Sequence, residues 1–167
     1  MENLVSYFTT LMNGNTLAII GAALAVLLPG IGSAKGVNMV ARATAGLISE
    51  EPDKYGKSML LQALPMTQGI YGMVTAFLIM IFGGVMTEEL SLATGAYYLF
   101  AALPIAFGGL YSAIKQGEVA TAGISVLAKR PDAVGKAVIS ASFVELYAIL
   151  ALLISLLLIL MKTVVLG

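Results

Sequence analysis

Glu145 is the lone charge in the apolar run 141–160, "ASFVELYAILALLISLLLIL". A carboxylate at the centre of a membrane helix costs roughly 2.5 to 3.5 kcal/mol on insertion scales, so Glu145 marks a position that requires a counter-charge or hydrogen-bonding partners. Other polar side chains stand in similarly apolar sequence: Thr67, Gln68 and Tyr71 in "LPMTQGIYG", and Gln116 further on. With Glu145 they offer a carboxylate, a hydroxyl and two amide oxygens. Pro65 adds a backbone contribution, because it cannot donate to the carbonyl of Leu61 and the kink it favours turns nearby carbonyls outward. The Leu64 carbonyl is therefore a further candidate. The chain has no cysteine and no histidine, which leaves an all-oxygen set, and such shells suit hard cations. A single negative charge matches a monovalent ion, since occupancy leaves the site neutral. The neutral oxygens favour Na⁺. H⁺ is the alternative, needing only Glu145 and one acceptor.

A structural reading competes with the ion site: Glu145 held in a static ion pair by Lys35 or Lys115. Lys115, however, has Glu118 three residues on as a local partner. Thr67 and Gln68 by themselves would fit an interhelical hydrogen bond. Tyr71 either supports the carboxylate or simply packs.

For side chains this far apart in sequence to act together, helices must bring them to one depth. The 167 residues are 59% hydrophobic and 11% charged, with mean hydropathy +0.97, too few charges to cover a soluble surface. A spanning helix needs about 20 mostly apolar residues. Charge-free stretches and the 137–161 run predict four transmembrane helices, at 15–47, 56–86, 92–127 and 134–163, the longer ones tilted or protruding. "PDKYGK" at 52–57 recurs as "PDAVGK" at 131–136, an offset of 79 that also superimposes Gly30 on Gly109, Ser33 on Ser112 and Ala34 on Ala113. The expected fold is therefore an all-α membrane protein made of a duplicated helical hairpin, with hairpins at 1–88 and 89–167. Residues equally far from a hairpin loop share a depth. Glu145 lies 14.5 residues after the centre of the second loop and Gln116 lies 14.5 before it. The repeat offset brings Thr67 and Gln68 to the same layer, with Tyr71 on their face.

Lys54, Lys57, Lys129, Arg130 and Lys136 flank the two hairpin loops, against Lys162 with Glu2, Glu88 and Glu89 on the other side. The positive-inside rule then predicts cytoplasmic loops at 48–55 and 128–135 and both termini outside the cell membrane. Gly32 and Gly36, and Gly109, Ala113 and Gly117, form small-residue stripes that let helices approach closely in lipid. Nine basic and nine acidic residues cancel, so no basic patch exists for nucleic acid. Without histidine or cysteine, ordinary hydrolytic catalysis is not expected either.

"LPMTQGIYG", "GSAKG", "IKQGEVATAGISVLAKRPD" and "VELYAIL" resemble the proteolipid of the membrane rotor ring in V-type ATPases, especially the bacterial sodium-translocating kind. The likeness covers nearly the whole chain. It implies identical subunits in a ring among membrane lipids, rotated through a central-stalk subunit by a cytoplasmic ATP-hydrolysing head, with no catalysis by this chain itself. The family's essential carboxylate matches Glu145. Its other ion ligands fall on Leu64 (backbone carbonyl), Thr67, Gln68 and Gln116, and a tyrosine that hydrogen-bonds the carboxylate falls on Tyr71. The resemblance also implies one ion per four-helix subunit and an inner ring lined by the first and third helices. A stator membrane subunit, whose arginine has no counterpart here, would release the ion.

Overall fold

The computed structural model describes residues 2–166. Four helices are long and apolar enough to cross a membrane, at Gly14–Glu50, Pro52–Phe82, Leu92–Lys129 and Pro131–Leu160, and no strand occurs among the described residues. A 37-residue helix is about 55 Å long at 1.5 Å per residue, well beyond a bilayer core of about 30 Å. The chain is thus an all-α, multi-pass membrane protein of two hairpins. Helix α1 (Glu2–Leu11) leads into α2 (Gly14–Glu50). The second span is divided into α3 (Tyr55–Ala63), a 3₁₀ turn (Leu64–Met66) and α4 (Thr67–Phe82). Helices α5 (Leu92–Lys129) and α6 (Val134–Leu160) form the second hairpin, and α7 (Lys162–Leu166) follows it.

The helix limits expected from hydropathy shift at several ends. The second span stops at Phe82 rather than 86, because Gly83 and Gly84 turn the chain and Gly84 takes φ 69°, a left-handed conformation that glycine tolerates. The fourth stops at Leu160 rather than 163. The first and third instead run on to Glu50 and Lys129 before proline ends them. Helix α1 lies outside the expected spans because it is too short to register as a membrane-crossing segment, whereas α7 begins within the last two residues expected of the fourth span, separated from α6 by a turn at Met161. Asn13 starts α2 by accepting the Thr16 N–H (2.8 Å), and Ser91 starts α5 by accepting that of Thr94 (3.2 Å).

The duplication is visible in backbone detail. Pro52–Lys54 and Pro131–Ala133 are matching 3₁₀ turns. The residues before them, Glu51 (φ −132°, ψ 76°) and Arg130 (φ −142°, ψ 76°), cap their helices alike, donating to Leu47 and Val126. The two loops sit side by side: Lys54 Nζ reaches the Ala128 carbonyl at 2.8 Å while pairing with Glu51. At the opposite end, Asn15 binds the carbonyls of Val85 and Glu88 and the N–H of Leu90, fixing the connection between the hairpins.

Helices α2 and α5 meet along their small-residue stripes. A methyl on Gly32 would lie 2.5 Å from the Leu110 carbonyl oxygen, and one on Gly36 2.6 Å from that of Ala113. Only glycine permits this approach. Helices α4 and α6 pack outside this pair. Two apolar clusters result, one around Ala25, Ile79, Tyr98 and Ile105, the other around Val40, Leu61, Ala120 and Ala141. Between them lies a polar layer.

Candidate ion-binding site

The layer begins at Pro65. The proline is buried, and the 3₁₀ turn it occupies replaces one turn of α-helix. The Leu64 carbonyl consequently points to Thr67, accepting its backbone N–H and its Oγ1–H at 3.0 Å. Thr67 Oγ1 lies 3.3 Å from Gln68 Oε1. Gln68 is fully buried, and its Nε2 donates to Gln116 Oε1 at 2.6 Å, with a longer contact to Ser112 Oγ at 3.3 Å. Gln116, also fully buried, donates through Nε2 to the Ala141 carbonyl (3.2 Å) and to Glu145 Oε2 (3.3 Å). The other carboxylate oxygen, Oε1, accepts the Tyr71 hydroxyl at 2.6 Å.

All six residues singled out in the sequence therefore lie in one connected arc contributed by three spans. Glu145 is half-buried at its outer end, and the glutamines lie inside. Neither Lys35 nor Lys115 forms an ion pair with Glu145 among the described residues. Lys115 holds Glu118 at 2.9 Å, and Lys35 is exposed. The static ion pair is thus not the arrangement adopted. Glu145 sits instead among neutral donors, which hold a carboxylate by hydrogen bonding without cancelling its charge.

Two serines belong to this layer and were not assigned to it from sequence. Ser112 links Gln68 to the Val144 carbonyl, to which it donates at 2.9 Å. Ser33 accepts the Gly69 N–H at 2.9 Å, fixing α4 against α2 next to Gln68. Their signal was their equivalence under the 79-residue repeat, together with Ser112 lying one turn before Gln116.

Chemically, the arc supplies hydroxyl, amide, carboxylate and backbone oxygens, with no group of three or more acidic, histidine or cysteine side chains among the described residues. A single carboxylate among neutral oxygens balances one positive charge. A divalent ion would be left under-neutralised in an apolar surround.

The ATP synthase C-subunit family matches the chain twice, over residues 20–79 and 99–158. The two matches are 79 residues apart, one on each hairpin. The chain is 48% identical over 157 residues to the V-type sodium ATPase subunit K of Enterococcus hirae, covering 94% of this chain and 99% of that protein. It is 37% identical over 142 residues to the A-type ATP synthase subunit K of Methanocaldococcus jannaschii, covering 85% of this chain and 61% of that protein. With both hairpins matched and the repeat preserved in backbone geometry, the chain belongs to the ATP synthase C-subunit family, in a duplicated four-helix form.

Proposed function

We propose that this chain is a rotor-ring subunit of a V-type ATPase that binds one Na⁺ at Glu145 and carries it across the cell membrane, coupling ring rotation to ATP hydrolysis or synthesis by a cytoplasmic head. The observation that carries this reading is the intramembrane carboxylate of Glu145, held by Tyr71 and Gln116 at the end of a buried arc of oxygen-bearing side chains. Leu64, Thr67, Gln68, Gln116 and Glu145 supply the ion's oxygens, and Tyr71 orients the carboxylate. A site for H⁺ alone would need far fewer oxygens. The sodium named for the Enterococcus hirae relative agrees with this choice.

With Na⁺ bound, Glu145 is neutralised and the subunit passes through lipid. Empty, it carries the insertion cost of roughly 2.5 to 3.5 kcal/mol, which opposes rotation without cargo. A positive charge on the stationary membrane partner competes for the carboxylate and releases the ion. The chain performs no chemistry of its own. Its two hairpins, 1–88 and 89–167, carry one ion between them, because Met66 occupies the first-hairpin position equivalent to Glu145. The 48–55 and 128–135 loops face the cytoplasm and the central stalk, and both termini face outward. Replacing Glu145 by Gln in the assembled complex is expected to abolish ATP-driven Na⁺ uptake while leaving ring assembly intact. Uptake at the wild-type rate would refute the assignment.

A further inference from the structure

The oxygens of the arc serve a cation only if each amide faces the right way. A glutamine amide offers an acceptor, Oε1, on one branch and two N–H donors, at Nε2, on the other, in nearly the same shape. A reversed Gln68 amide would turn N–H groups toward the ion position and repel Na⁺. Shape does not distinguish the two orientations, so hydrogen bonding must. Gln68 is fully buried, and the groups around it set its direction.

Ser112 supplies the restriction. Its side chain is buried and stands between Gln68 and α6. A serine hydroxyl has one hydrogen and two lone pairs. That hydrogen goes to the Val144 carbonyl at 2.9 Å, which leaves only lone pairs for Gln68. Gln68 must therefore present Nε2, and it does so at 3.3 Å, with its second N–H on Gln116 Oε1 at 2.6 Å. Both hydrogens are then engaged, and Oε1 is left for Thr67 Oγ1 at 3.3 Å. Gln116 Oε1 is itself one of the proposed ion ligands, so its hold on Gln68 is shared with the cargo. The hold of Ser112 is not.

The 79-residue repeat shows why Ser112 has this polarity. Its counterpart Ser33 accepts from the facing helix instead, taking the Gly69 N–H at 2.9 Å. Opposite Ser33, the 3₁₀ turn at Leu64–Met66 interrupts the second span, and a backbone N–H is offered. Opposite Ser112, α6 runs unbroken, so its N–H groups are used within the helix and only a spare carbonyl lone pair is available. We infer that Ser112 is a positioning residue for the ion, holding the Gln68 amide with its oxygen toward the Na⁺ site without being a ligand. This deepens the Na⁺ reading and rests on it. Loss of the hydroxyl frees the amide to turn over, which removes one oxygen from the ion but leaves Glu145 with Tyr71 and Gln116. Na⁺ binding and protonation of Glu145 become separable.

Carbodiimide labelling of Glu145 in the purified ring reads both. Ser112→Ala is expected to raise the Na⁺ concentration that halves labelling by about three- to tenfold, while the pH dependence of labelling without Na⁺ stays as in the wild type. Ser112→Thr and Ser112→Val share one shape and differ in the hydroxyl. Whatever the extra methyl costs, Na⁺ is expected to protect the Ser112→Thr ring at the lower concentration. In a Gln68→Ala background no amide remains to orient, and Ser112→Thr and Ser112→Val should respond to Na⁺ alike. Three results each overturn the role of Ser112 and leave the Na⁺ reading standing: unchanged Na⁺ protection in Ser112→Ala, a shifted pH profile without Na⁺, or a difference between Ser112→Thr and Ser112→Val that survives Gln68→Ala. A wild-type ring that Na⁺ does not protect overturns the Na⁺ reading itself, and this inference with it.

Discussion

Tyr71 and Gln116 both touch Glu145, but their proposed roles differ. The Tyr71 hydroxyl donates to the carboxylate directly and adds no oxygen that the ion requires, whereas Gln116 and Thr67 lie along the arc that would surround it. Thr67→Ala and Gln116→Ala are each expected to weaken Na⁺ binding by about tenfold or more, corresponding to roughly 1.5 kcal/mol for one lost contact to a charged group. Tyr71→Phe should cost less. Sodium titrations of the purified ring check this order, and wild-type affinity in both alanine variants would remove Thr67 and Gln116 from the shell. At this scale the sequence was highly legible, because a carboxylate, two amides and a hydroxyl are conspicuous in apolar helices and equal distance from a loop places them at one depth. Ser112 and Ser33 were not legible as part of the layer. A helical serine often satisfies itself on its own backbone, as Ser140 does with Lys136, and only coordinates distinguish that from a link between helices.

Helices α2 and α5 hold the layer in place by backbone contact, so their glycines separate into essential and dispensable. Gly117 packs directly on the Gly36 backbone, while a methyl on Gly46 would meet nothing within 4 Å. Gly117→Ala is expected to lower stability by about 1 to 3 kcal/mol through overpacking. Gly46→Ala should raise it by up to about 1 kcal/mol, since alanine is the better helix former. Thermal unfolding in detergent discriminates the two, and a Gly117→Ala protein as stable as wild type would contradict the proposed close approach. The small-residue stripes and the repeat were readable because each has a fixed spacing. The division of the second span at Leu64–Met66 was only half-readable: Pro65 announced a break, but its form, a 3₁₀ turn that aims the Leu64 carbonyl at Thr67, depends on packing beside Gly36. The early end of that span at Phe82 was hidden because Gly83–Met86 is apolar enough to extend a hydropathy run, while the left-handed φ of Gly84 breaks the helix.

As a whole the molecule has one end where both Pro-Asp loops meet, joined by Lys54 to the Ala128 carbonyl, and another where Asn15 clamps the connection between hairpins. If the loop end is cytoplasmic, Asp53→Cys and Asp132→Cys should react with an impermeant thiol reagent only in inside-out vesicles, and Glu89→Cys only in intact cells. The reverse pattern would invert the orientation. Four spans and two hairpins followed from the sequence because hydrophobic length and a regular repeat are properties of the chain itself. The central claim, that the chain's cargo is Na⁺ held at Glu145, is tested most directly by carbodiimide modification of this carboxyl in the purified ring. The account predicts that millimolar Na⁺ slows labelling of Glu145 at a pH where it reacts, whereas K⁺ at the same ionic strength does not. Labelling that proceeds equally fast with and without Na⁺ would contradict it and leave H⁺ as the cargo.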